Sequence, residues 1–441
     1  MKNIYHQLKL LKAFLLLWGS QSLSFLGSSM TGYALLIWVY QQNNSALGVS
    51  LLAVCSYLPS ILLSFFAGTF ADRHDRKKIM LYSDSIAAVG TLSILLLISL
   101  GRLEIWHIYL FNMLNSIMGA FQAPANTVTV SELVPAQYYH KIGGFQSISD
   151  SAVGILTPAL ATMLMTFFGI NVILTVDIVS FLIAFISLLL FVRLPARQDK
   201  ALKSNTESTF LQDCRAGFLF LKHHAAILKL ILYFTMINLI AYIGGGGITT
   251  TVTAMILSRI PDGKLILGAV SSAVSLGTLF GGILVTFMTP PRRRVFVIFF
   301  SCGLSFFICD LALGLSQSPT IWIAANFIGN IPLAFLSANQ SAILRSNVPI
   351  EMQGRVFSAR STLQFCTVPL GYLFGGLLAD YVFEPLMRST TGLKHFLTHL
   401  VGDGPGSGIA VMFILTGLSG TILSISALYN RTLKTLDRRE E

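Results

Sequence analysis

Charge is scarce in this chain of 441 residues, where Asp, Glu, Lys and Arg make up 11% of the total. Yet residues 67–80, AGTFADRHDRKKIM, hold two acids and four bases within seven positions. Asp72 and Asp75 alternate there with Arg73, Arg76, Lys77 and Lys78. Groups so close form ion pairs, and a carboxylate at a helix end accepts hydrogen bonds from N–H groups that lack an intrahelical partner. Such a network makes or breaks no covalent bond; it holds one arrangement of neighbouring helices and releases it in another. Gly68, just ahead of it, lets another helix approach closely. A second set of groups with chemical potential is four acids, Asp84, Asp150, Asp177 and Asp310, each inside a long apolar run. Ionisable residues in such runs are costly, and they mark proton relays and ion pathways.

The elements that must position these groups follow from hydropathy. Aliphatic, aromatic, Met and Cys residues make up 54% of the chain, and the mean hydropathy is +0.72, whereas soluble domains are about 25% charged. Polar residues collect in short breaks between long apolar stretches, and about 20 helical residues cross the roughly 30 Å hydrocarbon core. The reading is an all-α polytopic membrane protein with twelve transmembrane helices, near 13–40, 46–71, 78–101, 105–131, 139–168, 170–193, 227–257, 264–288, 295–317, 320–345, 355–382 and 408–430. The first run is too long for a signal-peptide core and lacks a small-residue cleavage site, so it is read as a retained span. The five cysteines show no CxxC spacing, which points to neither a disulfide framework nor a metal site.

The longest polar segment, LPARQDKALKSNTESTFLQDCRAGFLFLKHH, parts six spans from six. It reads as a linker followed by a short amphipathic helix on the membrane surface. The expected divisions are an N-terminal half over 1–193, a cytoplasmic linker over 194–226 and a C-terminal half over 227–441. With the N-terminus inside, the inner segments hold 25 of the 30 Lys and Arg residues and the outer segments five. That bias places both termini in the cytoplasm of a cell (inner) membrane. It also absorbs the net charge of +11, so no nucleic acid partner is inferred. An offset of 214 residues pairs Gly68 with Gly282, Val134-Pro135 with Val348-Pro349, Ala120-Phe121 with Ala334-Phe335, and Lys141 with Arg355. Several pairs in one register mark the halves as related repeats, an architecture used by secondary transporters.

The run from Gly68 to Lys78, GTFADRHDRKK, resembles the signature loop of the major facilitator superfamily, G-x-L-A-D-R-x-G-R-K/R-K/R, with Phe70 for Leu and Asp75 for the second Gly. Its form DRHDRKKIM is similar to the macrolide-efflux, drug-exporting branch. AFQAPANTVTVSELVP at 120–135 and GRVFSARS at 354–361 extend the resemblance over essentially the whole chain. It implies the two-half fold with spans 1, 4, 7 and 10 around a cavity. It also implies a conformational switch built from Gly68, Asp72, Arg73, Arg76 and Lys77, with Gly354 and Arg355 at the start of span eleven as its contact. Asp84, two turns past Arg76, is expected to tie to the same loop. Two positions depart from the family pattern: Asn115 stands where exporters often carry an arginine, and Thr157-Pro158 where many antiporters carry Gly-Pro.

Apart from the resemblance, polar residues recur at helical spacing. Asn115, Gly119, Gln122 and Asn126 form a stripe on span four, and Gln21, Ser24, Ser28 and Thr31 another on span one. Asn238 with Tyr242 on span seven and Asn326 with Asn330 on span ten repeat the spacing of four. A polar face in lipid is unfavourable, so each stripe joins helices or lines a cavity; four stripes on the four expected lining spans favour a substrate cavity, with Gln364 of span eleven added to it. Among the acids, Asp150 is the proton-coupling candidate, with Gln146 and Gly154 on the same face. Asp177 and Asp310, on spans expected at the periphery, read as polar anchors near the outer surface. Arg360, just inside span eleven, either snorkels back to the surface or faces the cavity. The run Gly244 to Gly247 weakens a helix by about 1 kcal/mol per residue relative to Ala, and reads as a bend beside the cavity or a close packing point.

No GxxxxGK[ST], no HExxH and no paired histidines within a span occur, so an enzyme and an ATP-driven pump are set aside, and neither cofactor nor metal is expected. The expectation is a monomeric secondary transporter in the lipid bilayer. It would be an exporter of amphipathic, drug- or macrolide-like small molecules in exchange for a coupling proton. An exporter or importer of a metabolite, siderophore or lipid stays open beside it, as does a non-transporting scaffold.

Overall fold

The protein's structure, a computed structural model, describes residues 2–133, 139–191, 218–245, 250–289, 291–389 and 392–437. The described residues form helices joined by short turns and include no strand. In chain order the helices are α1 Lys2–Asn43, α2 Ala46–Arg73, α3 Arg76–Ser99, α4 Ile105–Leu133, α5 Tyr139–Phe168 and α6 Ile170–Phe191. They continue with α7 Ala225–Ile243, α8 Thr251–Arg259, α9 Lys264–Phe287, α10 Arg294–Leu315, α11 Pro319–Asn347 and α12 Ile350–Phe365. Last come α13 Val368–Leu378, a π-helical turn Ala379–Phe383, α14 Glu384–Arg388, α15 Gly392–Val401, α16 Ser407–Tyr429 and α17 Arg431–Lys434. Among the described residues, 11 segments are long and apolar enough to cross a membrane; α4, with 29 residues, stands at the remaining expected span.

The helices are apolar on both faces because neither medium around them is water. On α6, Leu174, Ala184 and Leu188 are fully buried while Leu182, Ile183, Ile186, Leu189 and Leu190 are exposed, one face meeting helices and the other suited to lipid.

The chain packs as two units, Met1–Asn43 with Leu51–Leu202, and Asn44–Ser50 with Lys203–Glu441. In the first, α1 packs on α5 and α6, and α3 on α4 and α6. In the second, α10 packs against α11 and α16, and α9 against α11. A Cβ added at Gly277 or Gly281 of α9 would strike the carbonyl oxygens of Phe327 and Ile331, so these two helices touch backbone to backbone. Most of the expected linker, 194–226, lies outside the described residues; 218–223 are helical.

The charged connection differs from the sequence expectation at its cap. Helix α2 runs through position 72 to Arg73, and Asp75 stands first outside it with an extended backbone. Its carboxylate Oδ1 accepts the backbone N–H groups of Lys77 at 3.0 Å and Lys78 at 3.3 Å, the N-cap of α3. Among the described side chains the cap of α3 is thus Asp75, the residue just ahead of it. Lys77 Nζ donates to the carbonyl of Leu189 at 3.1 Å, in the last turn of α6, where helix polarity favours a cation. Arg76 opens α3. The side chains of Gly68, Asp72, Arg73, Gly354 and Arg355 lie outside the described residues.

Span seven is interrupted where a bend was expected. Helix α7 stops at Ile243, Gly244 N donates to Ile240 O at 3.0 Å, and Gly245 takes φ +94° before α8 starts at Thr251. Span eleven is broken twice. Pro369 has no N–H, and α12 ends at Phe365; the freed carbonyls of Leu363 and Gln364 instead accept Thr235 Oγ1 at 3.0 Å and Asn238 Nδ2 at 2.8 Å from α7. Farther on, the π-helical turn carries Asp380. Its carboxylate accepts Ser45 Oγ at 2.6 Å, Ala46 N at 3.1 Å and Leu47 N at 2.9 Å, capping the start of α2 from another segment. This contact draws Asn44–Ser50 into the second unit.

Gly245→Ala is expected to lower the thermal midpoint of the purified protein, because a left-handed residue with a Cβ costs about 1–2 kcal/mol and the new methyl meets Thr251 Oγ1. Gly282→Ala, whose Cβ meets nothing within 4 Å, is expected to leave the midpoint level or raised. Equal midpoints for wild type and Gly245→Ala would contradict the assigned turn.

Candidate functional site

The polar stripes converge on two cavities, one in each unit. The first, about 520 Å³, is lined by α1, α3, α4, α5 and α6. Gln21, Ser24 and Ser28 of α1 face it, as do Asn115, Gln122 and Asn126 of α4. Three acids line it too, Asp84, Asp150 and Asp177, and no Lys, Arg or His is among the described lining residues. Phe14, Trp18, Phe25, Phe111 and Phe181 supply an aromatic wall.

Two of these acids depart from the sequence expectation. Asp84 does not reach the charged loop. It is 7% exposed; Oδ2 accepts Gln21 Nε2 at 3.2 Å and Oδ1 accepts Gln122 Nε2, so α3 is tied to α1 and α4 inside the cavity. Asp177 is no surface anchor either. It is 3% exposed, and it accepts Ser28 Oγ at 2.8 Å on Oδ1 and Thr91 Oγ1 at 3.0 Å on Oδ2. A carboxylate that deep needs donors from neighbouring helices, and α1 and α3 provide them. Asp150 lies on the same cavity with its side chain exposed. Asn115 Oδ1 is buried with no hydrogen-bond partner among the described residues.

The second cavity, about 540 Å³, lies among α7, α9, α10, α11 and α12. Asn238, Tyr242, Asn326, Asn330 and Gln364 line it, with Asp310, Gln340 and Arg360. Tyr242 meets Tyr372 edge to face, ring centroids 5.0 Å apart. Asn326 and Asn330 each donate one turn back along α11, to Trp322 O at 2.9 Å and Asn326 O at 2.7 Å. Asp310, expected as a peripheral anchor, lines this cavity, and Thr416 Oγ1 donates to its Oδ2 at 2.9 Å.

The two acid–threonine bonds join the third and sixth spans of each half, counted in chain order. In the first half the threonine is on the third span and the acid on the sixth; in the second the acid, Asp310, is on the third and the threonine, Thr416, on the sixth. Donor and acceptor have exchanged helices. A glycine of the half's first span closes over each bond: a Cβ at Gly27 would strike Asp177 and Ser180, and one at Gly244 would strike Thr416 Oγ1 and Asp310 Oδ2.

The stripe residues were legible because they recur every turn. Asp177, Asp310, Thr91, Thr416 and Gln340 carry no such periodicity. The one signal for the two acids was a charged group near the middle of an apolar run, which by itself marks a functional position.

A model of the Major Facilitator Superfamily matches residues 17–371. Macrolide efflux protein A of Streptococcus pyogenes is 25% identical over 373 residues, 84% of this chain and 90% of that protein. The protein of the same name from Enterococcus faecalis is 26% identical over 324 residues, 73% of this chain and 97% of its own. Among solved structures, an inward-facing, unoccupied bacterial homologue of the human lysosomal transporter Spinster superposes with a TM-score of 0.69 at 16% identity, covering 98% of this chain and 97% of that one. An inward-facing bacterial homologue of the iron transporter ferroportin gives 0.66 at 14% identity, covering 95% and 99%. At such identities the likeness is one of fold.

Removing a donor from a buried carboxylate leaves it unsatisfied, at about 1–3 kcal/mol. Thr416→Val is therefore expected to lower the thermal midpoint clearly and Thr416→Ser hardly at all. Matching midpoints for the two variants would remove the Thr416–Asp310 bond as a stabilising contact.

Proposed function

The chain belongs to the major facilitator superfamily, and within it we propose that this protein exports amphipathic small molecules, macrolide-like compounds among them, in exchange for protons. It would work as a monomer in the cell membrane with both termini in the cytoplasm. The observation that carries the reading is the first cavity: three acids, an aromatic wall and no base among the described lining residues around about 520 Å³.

Three carboxylates with no base among the described lining residues make a site that draws positive charge. Either a proton or a cationic group of the substrate neutralises them, and the two compete for one set of oxygens. Loading the substrate from one side then releases protons, and protons taken up from the other side release the substrate, which is antiport. Asp150 is the proposed exchange site because its side chain is exposed on the cavity, where those of Asp84 and Asp177 are buried. The aromatic wall takes the apolar body of the substrate, and the macrolide efflux relatives support that class. Gly68, Asp72, Arg73, Arg76 and Lys77, with Gly354 and Arg355, are proposed as the switch that favours one access state.

Cells expressing the chain are expected to accumulate less labelled macrolide than control cells, with an uncoupler abolishing the difference. Asp150→Asn is expected to remove the uncoupler-sensitive part while the amount of protein in the membrane stays the same. Export by Asp150→Asn that still collapses with the uncoupler would move the exchange site elsewhere; no difference in any cell would reject macrolides as substrates.

A further inference from the structure

We propose that Arg360 receives an anionic group of the transported molecule, so that the substrates include acidic or zwitterionic amphiphiles. The inference deepens the transport reading, on which it rests for a transported molecule, and adds the second cavity to that molecule's site. Arg360 is the eleventh residue of α12 and lines that cavity. Its Nε donates to Gln364 Oε1 and its Nη2 to Gln340 Oε1, both at 3.0 Å. Gln340 Nε2 donates in turn to Gln364 Oε1 at 3.3 Å. The two glutamines are 4% and 6% exposed. Amide oxygens satisfy N–H groups but do not neutralise a charge, and among the described residues Arg360 makes no ion pair. Asp310 is the one acid among the described residues lining this cavity, and the bond it makes is with Thr416.

The direction of the side chain argues against simple snorkelling. A snorkelling arginine on α12 would run back towards the start of the helix at Ile350, as helical side chains lean by default. Arg360 Nε bonds instead to Gln364, one turn farther into the span. Its other partner, Gln340, precedes the end of α11 at Asn347 by seven residues, about 10 Å along the helix. The head group is thus held within the span by two buried amides.

A guanidinium has five N–H donors in a planar fork, and the two amides use two of them. The remaining three suffice for the paired bonds by which arginine takes a carboxylate or phosphate. A desolvated cation with neutral partners alone is unfavourable, and an anionic ligand group relieves that state. Phe234, Phe306 and Phe413 line the same cavity and suit an apolar chain or ring attached to the acid.

The full chain in lipid nanodiscs is titrated with 11-(dansylamino)undecanoic acid and with its carboxamide, reading dansyl fluorescence against empty nanodiscs. Wild type is expected to bind the acid about tenfold or more tightly than the amide, the factor that a charge-assisted bond supplies. Arg360→Gln is expected to bind both alike, with an unchanged circular-dichroism spectrum reporting an intact fold. Equal affinities in wild type, or an undiminished preference in Arg360→Gln, would overturn the proposal. If Arg360→Gln binds neither probe, Arg360→Lys decides: a preference reduced by about threefold or more supports the fork, and a full wild-type preference rejects it. An acid preference in a protein that extrudes no macrolide keeps this assignment and fails the export reading; macrolide export without the preference does the reverse.

Discussion

A carboxylate inside hydrocarbon persists only where other helices bring hydrogen-bond donors to it, and that requirement organises both halves of this molecule. Asp177 draws Ser28 and Thr91 to α6, Asp84 draws Gln21 and Gln122 to α3, and Asp310 draws Thr416 to α10. Donors as short as serine and threonine reach across only if the helices nearly touch, hence the glycines at positions 27 and 244. The cavities are the spaces left beside these junctions. Their polarity is therefore a product of the packing itself.

Backbone groups obey the same rule where the helices are interrupted. The break between α12 and α13 exposes carbonyls at Leu363 and Gln364, and the side chains of Thr235 and Asn238 take them up. The start of α2 would present unpaired N–H groups, and Asp380 takes two of them from the π-helical turn. Irregular backbone at membrane depth is tolerated where protein groups stand in for water, and the breaks here sit beside the second cavity or end on a carboxylate.

Much of this was legible in the residues alone, for a definite reason. A span announces itself through about 20 consecutive apolar residues, and a lining face through polar residues that recur each turn, as Asn115, Gln122 and Asn126 do. Isolated residues have no such signature. Whether Asp177 faces lipid, a neighbour or a cavity depends on how α6 is rotated against α1 and α3, which its flanking leucines and isoleucines do not reveal. Asp84 was legible as unusual, and its distance from the charged loop was not, because partners on α1 and α4 are remote in sequence.

The exchange of acid and threonine between the third and sixth spans also bears on ancestry. If both halves descend from one six-helix unit whose third and sixth spans carried one such pair, one half has reversed the bond by two substitutions. One route passes through two threonines, neutral and able to bond each other. The other passes through two facing aspartates, which can coexist only by sharing a proton. The first intermediate carries no ionisable group and the second carries two, so the path taken decides whether an acid was present at this junction throughout.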